Sequence, residues 1–240
     1  MTQLIQHIEN ILGSKIKQPV IFETAFNHTS YVNEQKNPDL LHNERLEFLG
    51  DAILELLTSD FLFHQYPNDP EGSLSRMRAQ LVQEASLAYL AKKLKFHQFI
   101  KLGKGELTSG GNQRDSILAD CFEAFLGAIY LDQGLEKVKE FLQQYMFANH
   151  RQIIEQITID YKTRFQEKAQ QQGSVLIQYQ LLEQSGPAHN QLFKVGLFVN
   201  NALVSIGIGK NKKAAEMLAA KNGFNQIDER GQVINVLKQN

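Results

Sequence analysis

Carboxylates at two places in the chain are spaced so that they could share metal ions. Glu44, Glu47, Asp51 and Glu55 recur at intervals of three and four residues, and Asp120 and Glu123 repeat the interval of three. At about 100° per residue, the first four fall within roughly 80° of one another on one side of a helix. An acidic stripe is ordinarily a solvated helix face. Here Lys and Arg do not interleave with it in the i,i+4 pairing that would relieve the repulsion. If the two acidic faces converge, Glu44, Glu47, Asp51, Asp120 and Glu123 line one hole, where five carboxylates do not all stay ionised without cations. Oxygen ligands with no Cys or His among them suit Mg2+ or Mn2+ rather than zinc.

Two helices must position these groups. The stretch Asn43–Gln65 is long and free of Pro, with Gly50 its only weak helix former. Its periodicity puts Leu46, Leu49, Ile53, Leu56 and Leu57 on a core face opposite the acids. Phe48 falls beside the acidic stripe, exposed unless a partner covers it. In Ser116–Tyr130 the core face is Leu118, Phe122, Phe125 and Ile129. Asp120 and Glu123 share the other face with Gly127 one turn on, where small residues leave room for a bulky ligand.

The segments HNERLEFLGDAIL (His42–Leu54) and ILADCFEAFLGAIYLD (Ile117–Asp132) resemble the two acidic motifs of ribonuclease III. The resemblance covers roughly nine-tenths of the chain. It implies an all-α ribonuclease III endonuclease domain over residues 1–150, with Glu47, Asp51, Asp120 and Glu123 as metal ligands. Asp51 and Glu123 become the residues closest to the chemistry, with Glu123 bridging metal and scissile phosphate. Glu44 and Glu71 are supporting acids, and Phe48 is the knob of a homodimer.

The 240 residues suffice for one large or two ordinary domains, and Cys121, the only cysteine, excludes an internal disulfide. No apolar run approaches transmembrane length, and MTQLIQHIENILG lacks a basic n-region, so a cytoplasmic protein with no membrane partner is expected. The net charge of −1 conceals an asymmetry: residues 1–151 hold 15 basic against 19 acidic side chains, and residues 152–240 hold 10 against 7. An acidic half joined to a basic half suits a metal-dependent domain tied to a polyanion-binding module.

Leu4, Ile5, Ile8, Ile11 and Leu12 mark a first amphipathic helix. IFETAFNHTSY, after Pro19, reads as a second, with His28 at its end holding the loop that leads to the acidic helix. Asn33–Asp39 is a loop, Tyr66–Pro70 a break, and Ser73 the cap of a helix through Met77, Leu81 and Val82. Arg76 and Arg78 are candidates for phosphate contacts, though an arginine among acids also serves to balance charge. The Gly-rich LGKGELTSGGNQRDS (Leu102–Ser116) lacks the P-loop order and follows no strand, which argues against a nucleotide cofactor. By resemblance it is a connection near the substrate, ending in the basic Arg114. A last helix covers Leu135–Phe147.

Residues 151–159 read as a partly helical linker. Beyond them the pattern changes: a helix capped by Asp160 and ending at Gly173, strands Ile177–Glu183, Phe193–Val199 and Ala202–Ile208, and a helix Lys212–Asn222 closed by Gly223. Asn200-Asn201 suits a two-residue hairpin turn. This α-β-β-β-α order over residues 160–226 resembles the double-stranded RNA-binding domain. The resemblance assigns minor-groove contacts to Thr163, Gln166, Glu167 and Gln170, and a second minor-groove contact to the Gly186–His189 loop with His189. It assigns phosphate contacts to Lys210, Lys212 and Lys213, where Asn211 stands in a position often occupied by Ser. Residues 227–240 form a tail without an assigned role.

The function implied is an endoribonuclease that hydrolyses double-stranded RNA with Mg2+, Mn2+ being able to substitute. Its products carry 5′ phosphates and 3′ hydroxyls with a short 3′ overhang, and ribosomal RNA precursors and structured mRNA are the substrates the family suggests. A non-catalytic RNA-binding protein on the same scaffold would be marked by substituted metal carboxylates, and none is substituted. A nucleotide phosphohydrolase would want His-Asp ligand pairs and no C-terminal module.

Overall fold

The computed structural model describes residues 2–35, 37–171, 173–186, 191–228 and 232–234. The chain divides into two compact units, Met1–Ile154 and Glu155–Asn240. Among the described residues no helix is long and apolar enough to cross a membrane.

The first unit is helical: α1 Gln3–Leu12, α2 Pro19–Ala25, α3 Thr29–Glu34, α4 Glu44–Gln65, α5 Glu71–Val82, α6 Glu84–Lys93, α7 Lys104–Thr108, α8 Asp115–Gln133 and α9 Leu135–Tyr145. Its axis is α8, apolar on nearly every side and therefore a helix that must be surrounded. Helices α2, α4, α6 and α9 pack around it. Phe22, Phe26, Phe96, Phe122, Phe125 and Phe141 form the centre, with ring centroids 5.0 to 6.3 Å apart in tilted and edge-on pairs. The carboxylate of Asp132 is buried for a structural purpose. It accepts hydrogen bonds from the backbone N–H groups of Lys17 (3.1 Å) and Gln18 (2.6 Å), fixing the start of α2 to the end of α8.

Several boundaries differ from the sequence reading. IFETAFNHTSY is two helices, because the chain extends at Phe26–His28 to pair with Lys101: Lys101 N donates to Phe26 O (2.8 Å), and His28 N to Lys101 O (3.1 Å). His28 therefore caps the start of α3 rather than ending α2. Pro70, not Ser73, precedes the first turn of α5, and Ser73 sits inside that turn with its hydroxyl 3.0 Å from Asp69 Oδ2. The helix Leu135–Phe147 stops at Tyr145, followed by a 3-10 turn, Phe147–Asn149. On α4, Leu46, Ile53 and Leu57 are buried as expected, but Leu56 is 58 % exposed.

Helix α10 spans His150–Ala169, so Asp160 is an internal position and not its N-cap. In the first unit its start is held where His150 Nδ1 lies 2.7 Å from Phe147 O and Nε2 lies 2.6 Å from the Tyr66 hydroxyl. The second unit continues with β1 Ile177–Ser185, β2 Leu192–Val199, β3 Ala202–Gly209 and α11 Lys212–Phe224. The strands form an antiparallel meander in the order β1-β2-β3. Asn200 and Asn201 join β2 to β3 with φ of 48° and 66°, the double positive φ of a tight hairpin turn. Phe165 and Ala169 of α10, Leu197, Val199 and Val204 of the sheet, and Ala219 of α11 share one core. Gly223 lies within α11, against Leu197, because a side chain there would strike the sheet. Ile227, at the start of the expected tail, is 3 % exposed and belongs to this core.

Candidate metal centre and duplex-binding face

Helices α4 and α8 touch at the level of their backbones. A Cβ on Gly50 would lie 1.8 Å from the Glu123 carbonyl oxygen, and one on Gly127 would lie 2.3 Å from that of Leu46. The space that Gly127 leaves is thus filled by the backbone of α4, not left for a ligand as the sequence suggested. This approach brings Glu47 together with Asp120 and Glu123. One oxygen of each lies within 4.8 Å of the others, and all three residues are partly buried.

Burial and mutual repulsion disfavour the charged forms. Glu123 is pushed up to about 8, first by desolvation and then by the charges of Asp51, Glu47, Asp120 and Glu55. Glu47 is raised by burial, then by Asp120, Glu44 and Asp51. Asp120 is raised by burial and then by Glu84 and Glu44. The cluster therefore lacks positive charge, and its all-oxygen donor set fits a hard divalent cation. Asp51 acts on Glu123 through its charge but is exposed and lies outside the trio within 4.8 Å. Glu84, the first residue of α6, escaped sequence reading because no periodic pattern links it to the other acids. Only the break at Gln83, in extended conformation, hints that the chain turns there.

The supporting residues have separate partners. Glu44 accepts a hydrogen bond from the Thr29 hydroxyl (2.5 Å), which ties the start of α4 to α3. Glu71 accepts from the Ser75 hydroxyl (2.6 Å) in the first turn of α5 and is not part of the trio. Arg78 places Nε 3.0 Å from Glu55 and donates to the Ser59 hydroxyl (2.9 Å), so it balances charge between α5 and α4. Arg114 is paired with Glu106 at 2.6 Å. His28 Nδ1 accepts from the backbone N–H of Ser30, while Ser30 Oγ accepts from Gly103 N–H (2.9 Å), anchoring the Gly-rich segment. Burial lowers the pKa of His28.

Phe48 is 80 % exposed. Near it in sequence, Leu46 and Leu49 line an apolar cleft of about 440 Å3 together with Val20, Ile21, Leu41 and Leu131. In the second unit, Thr163, Gln166 and Glu167 are exposed at spacings that place them along one side of α10, and Gln170, just past its end, is exposed as well. Lys210, Lys212 and Lys213 are exposed at the start of α11, where Asn211 Oδ1 accepts from Ala214 N–H (2.8 Å) as a cap. Cationic side chains and free N–H groups there favour a phosphate. His189 lies outside the described residues.

A pH dependence follows from the acid trio. The folded chain holds a proton on Glu123 up to about pH 8, well above its unfolded value, so it binds more protons than the unfolded chain in between. Metal-free stability should therefore fall as pH rises from about 5 to about 8. Divalent cation should remove most of that fall, and Glu123→Gln should flatten it. Thermal midpoints with chelator or with Mg2+ across this range would check the sign; a metal-free midpoint that rises with pH, and is insensitive to Glu123→Gln, would refute it.

Comparison with known proteins agrees with both units. A family described as Ribonuclease-III-like matches residues 18–150, and the double-stranded RNA binding motif matches residues 161–227. Ribonuclease 3 of Streptococcus thermophilus is 48% identical over 227 residues, covering 95% of this chain and 99% of that protein. Ribonuclease 3 of Streptococcus gordonii is 50% identical over 225 residues, covering 92% and 97%. The nuclease domain of ribonuclease III from Campylobacter jejuni, in a structure describing flexibility in its dimer-forming region, is similar with a TM-score of 0.54 at 38% identity. That match covers 63% of this chain and 96% of the other.

Proposed function

Because the chain belongs to the ribonuclease III family of metal-dependent nucleases, we propose that it hydrolyses the phosphodiesters of double-stranded RNA with Mg2+, or with Mn2+ in its place. The observation that carries this reading is the trio Glu47, Asp120 and Glu123, where burial first and neighbouring acidic charges second push the pKa of Glu123 up to about 8. With Asp51 beside them, these carboxylates would hold the cation. When bound, it supplies the charge that stabilises a phosphoryl transition state and the means to obtain hydroxide at neutral pH. The chain's own part is to bind and to orient. Glu123, the innermost acid, would hold the cation and act toward the phosphate, with Glu44 and Glu71 as supporting acids. Attack by water at phosphorus with cleavage of the P–O3′ bond leaves a 5′ phosphate and a 3′ hydroxyl.

Residues 1–150 form the catalytic domain in this reading, 151–159 the linker, 160–226 the duplex-binding domain and 227–240 the tail. Thr163, Gln166, Glu167, Gln170 and His189 face minor grooves, and Lys210, Lys212 and Lys213 face phosphates, so that shape rather than sequence is read over about 16 base pairs. Ribosomal RNA precursors and structured mRNA in the cytoplasm are the substrates.

One site cuts one strand, so cutting both with a short 3′ overhang needs two sites about a two-fold axis. The exposed Phe48 and the apolar cleft lined by Leu46 and Leu49 would serve as knob and hollow of an isologous homodimer. Phe48→Lys should accordingly yield monomers in sedimentation velocity, and an unchanged dimer would reject this interface. The function itself is tested by incubating a long RNA duplex with the protein and Mg2+, using Ca2+ to follow binding alone. Cleavage of the duplex with single strands spared is the expected result. Binding without cleavage under any metal would leave only an RNA-binding protein.

A further inference from the structure

Glu216 is out of place by charge. It sits one turn after Lys212 on α11, and a carboxylate so close to a phosphate-binding end weakens the attraction for RNA. Its partner gives it a reason. Glu216 Oε2 lies 2.5 Å from Lys162 Nζ on α10, with side chains only 19 % and 32 % exposed. Lys162 Nζ also lies 4.6 Å from the centroid of the Tyr179 ring on β1, whose hydroxyl is enclosed without a hydrogen-bond partner among the described residues. A second pair, Lys213 Nζ to Glu155 at 3.1 Å, links the same two helices in the opposite polarity, but it is about 60 % exposed and screened by solvent.

The position of the half-buried pair is what matters. Lys162 immediately precedes Thr163, the first residue of the exposed polar row on α10. Glu216 follows the lysine end of α11 by one turn. A protein that reads duplex RNA by shape must offer its groove-facing and phosphate-facing groups at the separation set by the A-form helix. We propose that Lys162 and Glu216 are positioning residues for duplex binding: their ion pair, seated on the Tyr179 ring, is a strut that fixes the α10 polar row relative to the α11 lysines. This inference rests on the duplex-binding reading of the second unit.

Charge and geometry make opposite predictions for Glu216→Lys, which is why it is the test. The substitution adds positive charge beside the phosphate-binding lysines, so long-range attraction alone would tighten binding. Loss of the strut, with two like charges in its place, should instead weaken the affinity of the full chain for an RNA duplex by about tenfold. The exchange Lys162→Glu with Glu216→Lys should bring affinity back to within about threefold of wild type. In Mg2+ the single variant should raise KM for duplex cleavage and leave kcat unchanged, and its thermal midpoint tells whether the unit is still folded. If it is not, the milder Glu216→Gln takes its place, with a loss of about threefold expected.

Binding would be measured by fluorescence anisotropy in Ca2+ across a salt series. Glu216→Lys, folded, binding as tightly as wild type or more tightly would overturn the strut while leaving the duplex reading intact. An exchange variant as weak as Lys162→Glu alone, with a shallower salt dependence, would make Lys162 a direct phosphate contact and also overturn it. A wild-type chain that binds no duplex would overturn the duplex reading and the strut together.

Discussion

Glu123→Ala should abolish duplex cleavage in Mg2+ while duplex binding in Ca2+ persists. The expected loss is at least about a thousandfold, the equivalent of roughly 4 kcal/mol of transition-state stabilisation from a metal centre. Burial raises the pKa of Glu123 most, and the charges of Asp51, Glu47, Asp120 and Glu55 add to it. Removing it takes away the innermost ligand and much of the negative charge that attracts a cation. The same change should raise the thermal midpoint of the metal-free chain near neutral pH, because it removes a buried carboxyl that must take up a proton on folding. Loss of activity with a gain of apo stability is the combination that a merely structural glutamate would not produce. Cleavage at the wild-type rate would remove Glu123 from the metal centre.

Gly50→Ala should unfold or severely weaken the first unit, although helix propensity alone favours alanine over glycine by up to about 1 kcal/mol. The added methyl would stand 1.8 Å from the Glu123 carbonyl oxygen, with backbone on the far side and no flexible side chain to yield. Helices α4 and α8 would have to separate, so a cost of about 3 kcal/mol or more is expected, at the upper end of what overpacking does. Since Glu47 and Glu123 flank this contact, separation also pulls the acid trio apart. Urea unfolding would show a lower midpoint and cleavage would fall with it. An unchanged or higher midpoint would mean that the helices do not meet as closely as described. Gly127→Ala meets the Leu46 carbonyl oxygen at 2.3 Å and should behave alike.

These two glycines mark the limit of what the chain alone discloses. The local patterns were sufficient for much of the architecture. Buried Leu118, Phe122, Phe125 and Ile129 lie where a period of 3.6 puts them. The Asn200-Asn201 turn and the Asn211 cap follow from the ability of Asn to take positive φ and to accept a backbone N–H. Both acidic motifs were legible as well, because carboxylates three and four residues apart share a helix face wherever the helix is placed.

What the tertiary structure decided is everything that depends on a second element. Gly127 reads equally well as room for a ligand or as room for a helix, and only the packing of α4 against it distinguishes them. Leu56 has the spacing of a core residue, yet it is exposed, since amphipathicity specifies a face but not how far the neighbours extend over it. The break at Asn27 arises from pairing with Lys101, more than 70 residues away, and propensity carries no trace of it. Asp51 has the same spacing credentials as Glu47 but remains outside the tight trio, while Glu84 has none and still acts on Asp120. Sequence periodicity determines direction around one helix axis. The distance between two axes, on which the shared charge of the site depends, is set where backbones meet at Gly50 and Gly127.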